Sequence, residues 1–286
     1  MKNIVLLFGL ILVVTACVGD AKRTTSLMEN DIQPVKDSIA EVGDTLKDTI
    51  ILVQDIIPVS ADESFADFFF NFMTDEEYQR RRIVFPMPYY QGTEVKRIEK
   101  QDWQYDPIFS ENETYTILFD SAEEMDIEKD TSLCSAQVDW IFLDQNSVKR
   151  YYFEKKNDQW ILEAINVEEL KTEEQGEDFF SFYDRFAVDT VFQSERLHDP
   201  LLFVTTDPED DFNILETTLD RGQWFAFRPP MMEHRLTNIR YGQKRVQSSN
   251  TRIVEFKGVG NGLSNVLYFQ RIEGKWILKK FEDLSD

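Results

Sequence analysis

Few side chains in this 286-residue chain are of the types that transfer protons or bind metals. It has two histidines, His198 and His234, and a catalytic acid–base pair would need His198 with Asp199 or Asp189. The alternative is that both histidines lie on the surface. Two histidines and two cysteines form no zinc-ligand spacing, and no phosphate-binding glycine loop or nucleophile elbow occurs. We therefore predict neither a metal site nor a cofactor.

The first cysteine, Cys17, follows a basic tip and an apolar run over Ile4–Val14. A run of about eleven residues is too short to span a bilayer and is typical of a secretory signal. Val14-Thr15-Ala16-Cys17 resembles the lipobox of bacterial lipoproteins. The resemblance implies that residues 1–16 are a signal peptide and that Cys17 is acylated, which anchors the chain in the cell envelope, with the outer membrane as the expected location. An ordinary signal peptide with a chance cysteine is the alternative.

Acidic residues dominate the charge, because 53 Asp and Glu face 31 Lys and Arg, a net charge of −22. Such a surface repels nucleic acid phosphates and anionic lipid headgroups. Neither is expected as a binding partner, so contact with a membrane is assigned to the lipid anchor.

Residues 17–60 are polar and free of aromatic residues, which predicts a flexible acidic tether. Within it, Ser38, Thr45 and Thr49 each follow an Asp and precede an apolar residue. This pattern resembles the O-glycosylation motif of Bacteroidetes and implies glycans on these three hydroxyls. A plain acidic linker is the alternative.

The rest of the chain contains one pattern twice. A block of aromatic, Asp, Gln, Arg and Pro residues from Phe65 to Pro86 recurs from Phe179 to Pro200. A second block, from Tyr152 to Leu162, recurs from Tyr268 to Leu278. We therefore predict two tandem domains, residues 61–172 (the first copy) and 173–286 (the second copy). The tryptophans shared by both copies are predicted to be core residues: Trp103 and Trp224, and Trp160 and Trp276.

Each copy begins with aromatic residues at positions i, i+3, i+4 and i+7, which predicts a helix with one aromatic face. Thr74 and Asp189 are predicted to begin a short second helix in each copy, which ends at a proline. Period-two patterns then predict strands, among them Thr114–Phe119 and one over 135–143. Cys134, just before the second of these, is expected to be a buried, inert core cysteine, with a reactive thiol as the alternative. Each copy closes with a hairpin, turning at Asn157-Asp158 and at Glu273-Gly274.

Helices followed by antiparallel strands indicate an α+β unit with helices packed on a curved sheet. This order and the ring-lined first helix resemble the nuclear-transport-factor-2-like (NTF2-like, cystatin-like) fold, over residues 61–170 and 176–286. The repeated block and the lipobox together are similar to uncharacterised lipoproteins of gut Bacteroidetes, a family of unknown function. Because NTF2-like units often pair, the resemblance implies an intramolecular pseudo-dimer of the two domains.

Residues that occur in one copy only are the candidates for contact with a ligand or partner. They are Tyr89, Tyr90, Trp140, Phe225, Phe227, Arg228, Met231 and Met232. Met and aromatic residues beside prolines suit an adaptable contact surface. The alternative is a loop that packs on its own domain.

Taken together, these features predict a lipid-anchored, non-catalytic binding or interaction module of the cell envelope. Its partner is a small molecule or another envelope protein. The alternative function is an enzyme of the ketosteroid-isomerase or dehydratase type. The resemblance to the NTF2-like fold implies that its pocket would lie between the helices and the sheet of the second copy.

Overall fold

The computed structural model describes residues 64–130, 132–173, 176–242 and 249–286. Its α-helices are α1 (Phe65–Thr74), α2 (Glu76–Arg81), α3 (Phe179–Val188), α4 (Thr190–Glu195) and α5 (Arg221–Phe227), with a 3-10 helix over Ala122–Lys129. None of the described helices is long and apolar enough to cross a membrane.

The strands are β1 (Met87–Gln91), β2 (Glu94–Ile98), β3 (Thr114–Phe119), β4 (Ser135–Phe142), β5 (Ser147–Lys156), β6 (Gln159–Glu169), β7 (Leu197–Asp207), β8 (Asp210–Leu219), β9 (Arg235–Arg240), β10 (Thr251–Gly258), β11 (Ser264–Ile272) and β12 (Lys275–Asp283). They form two six-stranded sheets, β2-β1-β6-β5-β4-β9 and β3-β10-β11-β12-β7-β8. Only the β1–β6 and β7–β12 pairs are parallel, so both sheets are mixed. This confirms the predicted α+β class with two units.

The aromatic face of the first helix in each copy packs on the closing hairpin. Phe72 meets Phe153 edge-on at 5.2 Å, and Phe186 meets Phe269 in the same way at 5.4 Å. The predicted core tryptophans Trp103, Trp160, Trp224 and Trp276 are all buried. Aromatic rings prefer edge-to-face packing. The positions of the rings along each helix must therefore match the position of the ring on the hairpin that faces it.

Two-residue turns close both hairpins, as predicted. Asn157 and Asp158 have φ values of +49° and +61°, and Glu273 and Gly274 have +50° and +78°. Positive φ at both central residues matches the twist of the flanking strands. Each hairpin also has a register shift, at Tyr152/Phe153 and at the corresponding Tyr268/Phe269, which bends the sheet around the helix.

The second helix of the first copy begins one residue later than predicted. The Thr74 hydroxyl donates to the Phe70 carbonyl, 2.8 Å away, and is thereby engaged by the preceding helix. Asp75 instead caps α2 by accepting from the Tyr78 N–H at 2.8 Å, and Asp189 caps α4 as predicted. Both helices end before their prolines, and Pro200 lies within β7.

One strand of each copy joins the sheet of the other copy. The sequence assigns β3 to the first copy, but β3 pairs with β10; conversely, β9 pairs with β4. The predicted boundary near residue 172 falls in the connection between β6 and α3 and stays a prediction, because the two copies exchange strands across it.

A reciprocal hydrogen-bonded pair joins the exchanged strands where they meet. The Thr237 N–H donates to the Thr116 hydroxyl at 2.9 Å, and this hydroxyl donates to the Thr237 carbonyl at 2.7 Å. The same two bonds also form in the opposite direction. The Thr116 N–H donates to the Thr237 hydroxyl, and this hydroxyl donates to the Thr116 carbonyl at 2.8 Å. Both side chains are fully buried, so every bond in this pair is shielded from water.

A buried glutamine in each copy connects the second helix to the rest of its unit. Gln79 accepts from the Trp103 indole at 3.1 Å and donates to the Phe72 carbonyl at 3.0 Å. Gln193 likewise accepts from the Trp224 indole at 3.1 Å. Because a buried amide is costly unless it is hydrogen-bonded, the repeated Gln and Trp are required together.

Asp106 forms a polar cluster that has no counterpart among the described residues of the second copy. Its carboxylate accepts from the Lys149 ammonium at 2.8 Å, the Tyr151 hydroxyl at 2.6 Å and the Ile108 N–H at 3.0 Å. Burial acts to raise the pKa of Asp106, but Lys149 and these hydrogen bonds outweigh it, so the pKa is lowered. Burial and the nearby Asp106 charge raise the pKa of Tyr151, which therefore remains a donor.

We expect Thr237→Val to lower the free energy of unfolding by about 1–3 kcal/mol, because the N–H and carbonyl of Thr116 lose buried partners. Urea denaturation followed by circular dichroism measures this. Thr218→Val, on an exposed face of β8, is the matched control and should change stability little. Equal losses in the two variants would contradict the importance of the pair.

Asp106→Asn should lower the free energy of unfolding by about 1–3 kcal/mol at pH 7, where the native carboxylate is ionised. Since the folded pKa of Asp106 is depressed, its contribution is present above the unfolded pKa of about 3.9 and is lost as the pH falls through the folded value. The two proteins should therefore converge in stability on acidification. Asp102→Asn, at an exposed position, is the control. A stability difference that does not narrow as the pH falls below the unfolded pKa of about 3.9 would show that the effect is not due to ionisation.

Candidate functional site

A groove runs between α1 and the exchanged strands, with a cavity of about 390 Å³. We call it the α1 groove. One wall is helix α1, through Phe69, Phe70 and Met73, and the other is formed by the strands and the connection that follows β10. The residues of the second wall are Tyr115, Ile117, Ile239, Tyr241, Lys257, Gly258, Val259 and Gly260.

Aromatic contacts hold the walls of the α1 groove in place. Phe65 stacks on Phe69 at 5.4 Å and meets Tyr241 edge-on at 5.8 Å. Phe109, behind the groove, contacts Phe69 at 5.7 Å and stacks on Tyr115 at the same distance. The groove is therefore preformed by the core, and Lys257 is the one cation among the residues that line it.

The corresponding region of the second copy has a smaller and more polar cavity. The cavity there is about 190 Å³ and is lined by residues that include Leu143, Phe180, Ser181 and Asp184. By the repeat, Phe180 replaces Ala66 and Asp184 replaces Phe70. A larger side chain at the first position and a charge at the second explain why the groove is developed in one copy.

The side chain at the position of Phe69 also differs between the copies. Tyr183 replaces Phe69 and is completely buried, and burial raises the pKa of its phenol. The hydroxyl therefore stays protonated and cannot act as a base at neutral pH.

The candidate contact residues predicted from sequence do not lie in one place. Trp140 is in the core on β4, contacting Phe109 and Phe142. Tyr89 and Tyr90 are half-buried on β1. None of these three lines the α1 groove.

The remaining candidates lie on α5 and in the loop after it. Phe225 and Phe227 are exposed, Met231 is half-buried and Met232 is buried. Arg228 donates to the buried Gln193 amide oxygen at 2.8 Å, which is a structural contact.

The alternative, that this segment is a loop, does not hold for Phe225 and Phe227, which lie in α5. Asp220 and Gln223 form a capping box that begins α5, with Asp220 accepting from the Gln223 N–H and Gln223 accepting from the Asp220 N–H, each at 2.9 Å. This Asp-x-x-Gln spacing was the sequence signal that was missed.

The predicted catalytic pair of His198 with Asp199 or Asp189 does not form. His198 is exposed, with its Nδ1 2.8 Å from the Pro200 carbonyl, and His234 is exposed and 3.1 Å from Asp184. Asp199 pairs with Arg221, and Asp189 caps α4 and pairs with Arg185. The pocket role proposed for His198 is therefore wrong.

Several predictions concern residues outside those that the structure describes: Cys17, Ser38, Thr45 and Thr49. Cys134, expected in the core, is exposed because it precedes the first residue of β4. Across the ranges of the chain that the structure describes, no three His, Cys, Asp or Glu side chains converge as metal ligands.

The α1 groove was not predicted from the sequence. One signal was present: Phe70 lies outside the aromatic stripe of α1, on the face where a solvated helix carries polar residues, and is exposed. The groove itself required residues of β3 and β9, whose meeting is a consequence of strand exchange.

Comparisons with known proteins agree with this architecture. A family model described as a domain of unknown function, DUF4348, matches residues 44–283. The crystal structure of an NTF2-like protein from Bacteroides fragilis NCTC 9343 is 51% identical, with a TM-score of 0.76. The alignment covers 80% of this chain and 99% of that chain. No curated protein matches the chain.

The family model spans most of the sequence and both sheets, and the Bacteroides fragilis structure is related well above the identity at which only the fold is shared. These matches confirm the predicted likeness to an uncharacterised NTF2-like family of Bacteroidetes. The chain belongs to the DUF4348 family of NTF2-like proteins.

Proposed function

We propose that this protein is a lipid-anchored, non-catalytic binding module of the cell envelope, and that the α1 groove holds a small apolar or aromatic ligand. The observation that carries the proposal is the groove itself. Its volume of about 390 Å³ falls within the range of small-molecule sites, about 300–1,000 Å³.

The lining of the groove favours an apolar ligand with few polar groups. Phe69, Phe70, Met73 and Ile239 present apolar surface, and Met side chains adapt to ligands of different shape. The polar groups are confined to Ser64, two tyrosines and Lys257. A ligand with one hydrogen-bonding end suits that distribution.

The placement of the titratable side chains supports binding over catalysis. The two histidines are exposed, and Asp106 already accepts three hydrogen bonds. Neither His198, His234 nor Asp106 lines the α1 groove.

The anchor is proposed from the sequence. The apolar run over Ile4–Val14 and the lipobox ending at Cys17 favour acylation at that cysteine. Several acyl chains on one residue give stable membrane attachment, whereas a single chain gives marginal binding. Residues 17–60 would then separate the folded part from the outer membrane, with Ser38, Thr45 and Thr49 as glycosylation candidates.

Ala66→Phe should weaken binding of an apolar fluorescent probe, such as 1-N-phenylnaphthylamine, at least roughly tenfold, because the new ring occupies the groove as Phe180 does in the second copy. Fluorescence titration measures the affinity. Ala66→Ser is the matched control and should bind like the unmodified protein. Unchanged affinity in Ala66→Phe, with an unchanged melting temperature, would exclude the groove as the binding site.

Cys17→Ser should abolish incorporation of an alkynyl fatty acid and move the protein from the membrane fraction to the soluble fraction. Cys134→Ser is the matched control, because it removes the one other thiol and should leave both readouts unchanged. Labelling that survives Cys17→Ser would refute the anchor without affecting the groove.

A further inference from the structure

The two sheets each end in an exposed strand at the same position of the repeat. β2 is the outer strand of the first sheet, beside β1, and β8 is the outer strand of the second, beside β7. Within the described part of the chain neither has a strand on its outer side. Such edges offer a row of backbone N–H and C=O groups to another strand.

The two edges carry opposite charge. β2 has two cations, Lys96 and Arg97, and one acid, whereas β8 has three acids and no cation. Lys96, Arg97 and Glu216 are exposed, and none of them forms an ion pair with the described residues. The positive edge is notable in a chain whose net charge is −22.

Both edges also expose β-branched or aliphatic side chains. Val95 on β2 is 57% exposed, and Ile214 and Leu215 on β8 are 66% and 41% exposed. A strand added to either edge would cover part of this apolar surface.

We propose that β2 of one molecule pairs with β8 of a second copy of this chain. Pairing of two β2 edges would place Lys96 and Arg97 near their own copies, and pairing of two β8 edges would bring acids together, so like charges disfavour both. Pairing of β2 with β8 brings opposite charges together. Among the described residues these strands are the outer members of different sheets, and no described strand covers either edge.

This contact is head-to-tail, because each molecule uses a different surface on each side. A head-to-tail contact generates an open row of molecules, or a ring if the rotation closes. Since β2 has only five residues, the contact area is small and the association is weak and sensitive to salt.

The first test uses the protein from residue 18 onwards in sedimentation velocity at increasing concentration. The average mass should rise above that of one chain at low salt, and Lys96→Glu with Arg97→Glu should reduce the associated fraction several-fold. Adding Glu216→Lys to this variant in the same chain should restore association. Lys171→Glu with Lys275→Glu, at two exposed positions outside β2 and β8, is the charge-matched control. A single-chain mass at all concentrations would overturn the proposal.

The second test identifies the surfaces in a Cys134→Ser background. Val95→Cys and Ile214→Cys variants are treated with a short bis-maleimide, separately and as a mixture. Only the mixture should yield a cross-linked dimer. Cross-linking of either variant with itself would show symmetric pairing and would overturn the head-to-tail contact, as would the absence of any cross-link in a mixture that sediments as single chains.

Discussion

The hydrogen bonds between Thr116 and Thr237 are the constraint on which the rest of the structure depends. Both threonines are fully buried, and each supplies a hydroxyl to the backbone of the other. They lie where β3 and β9 leave their own copies to join the opposite sheets. Separation of the copies would expose two sheet edges and remove the hydrogen-bond partners of four backbone groups, the N–H and carbonyl of each threonine. The two units are therefore coupled in stability as well as joined in sequence.

The same frame supports different surfaces in the two copies. In each, an aromatic helix packs on a bent hairpin, and a buried Gln receives a hydrogen bond from a Trp. The second donor to that glutamine differs between the copies. The Asp106 N–H donates to Gln79, whereas the Arg228 guanidinium donates to Gln193. A shared core thus leaves the surrounding loop free to diverge, and the polar cluster at Asp106 exists in the first copy alone among the residues described.

This divergence also produced the α1 groove. Small Ala66 in the first copy leaves space that Phe180 occupies in the second, and the strands that form the far wall come from both copies. A ligand in the groove would contact α1 together with β3 and β9. The proposed binding site is therefore a property of the pair of units, which gives a physical reason for retaining both in one chain.

What the sequence determined by itself was the local part of this architecture: the aromatic helices, the closing hairpins and the core tryptophans. Each of these follows from periodicity or turn chemistry within a few residues, as at Asn157-Asp158. The α1 groove and the burial of Trp140 were not predictable in this way, and the contact candidates proved scattered. Only the tertiary structure decided which sheet receives β3, because a strand has the same period-two pattern whichever neighbour it joins. β3 pairs with β10, and its Thr116 is hydrogen-bonded to Thr237, which lies 121 positions further along the chain.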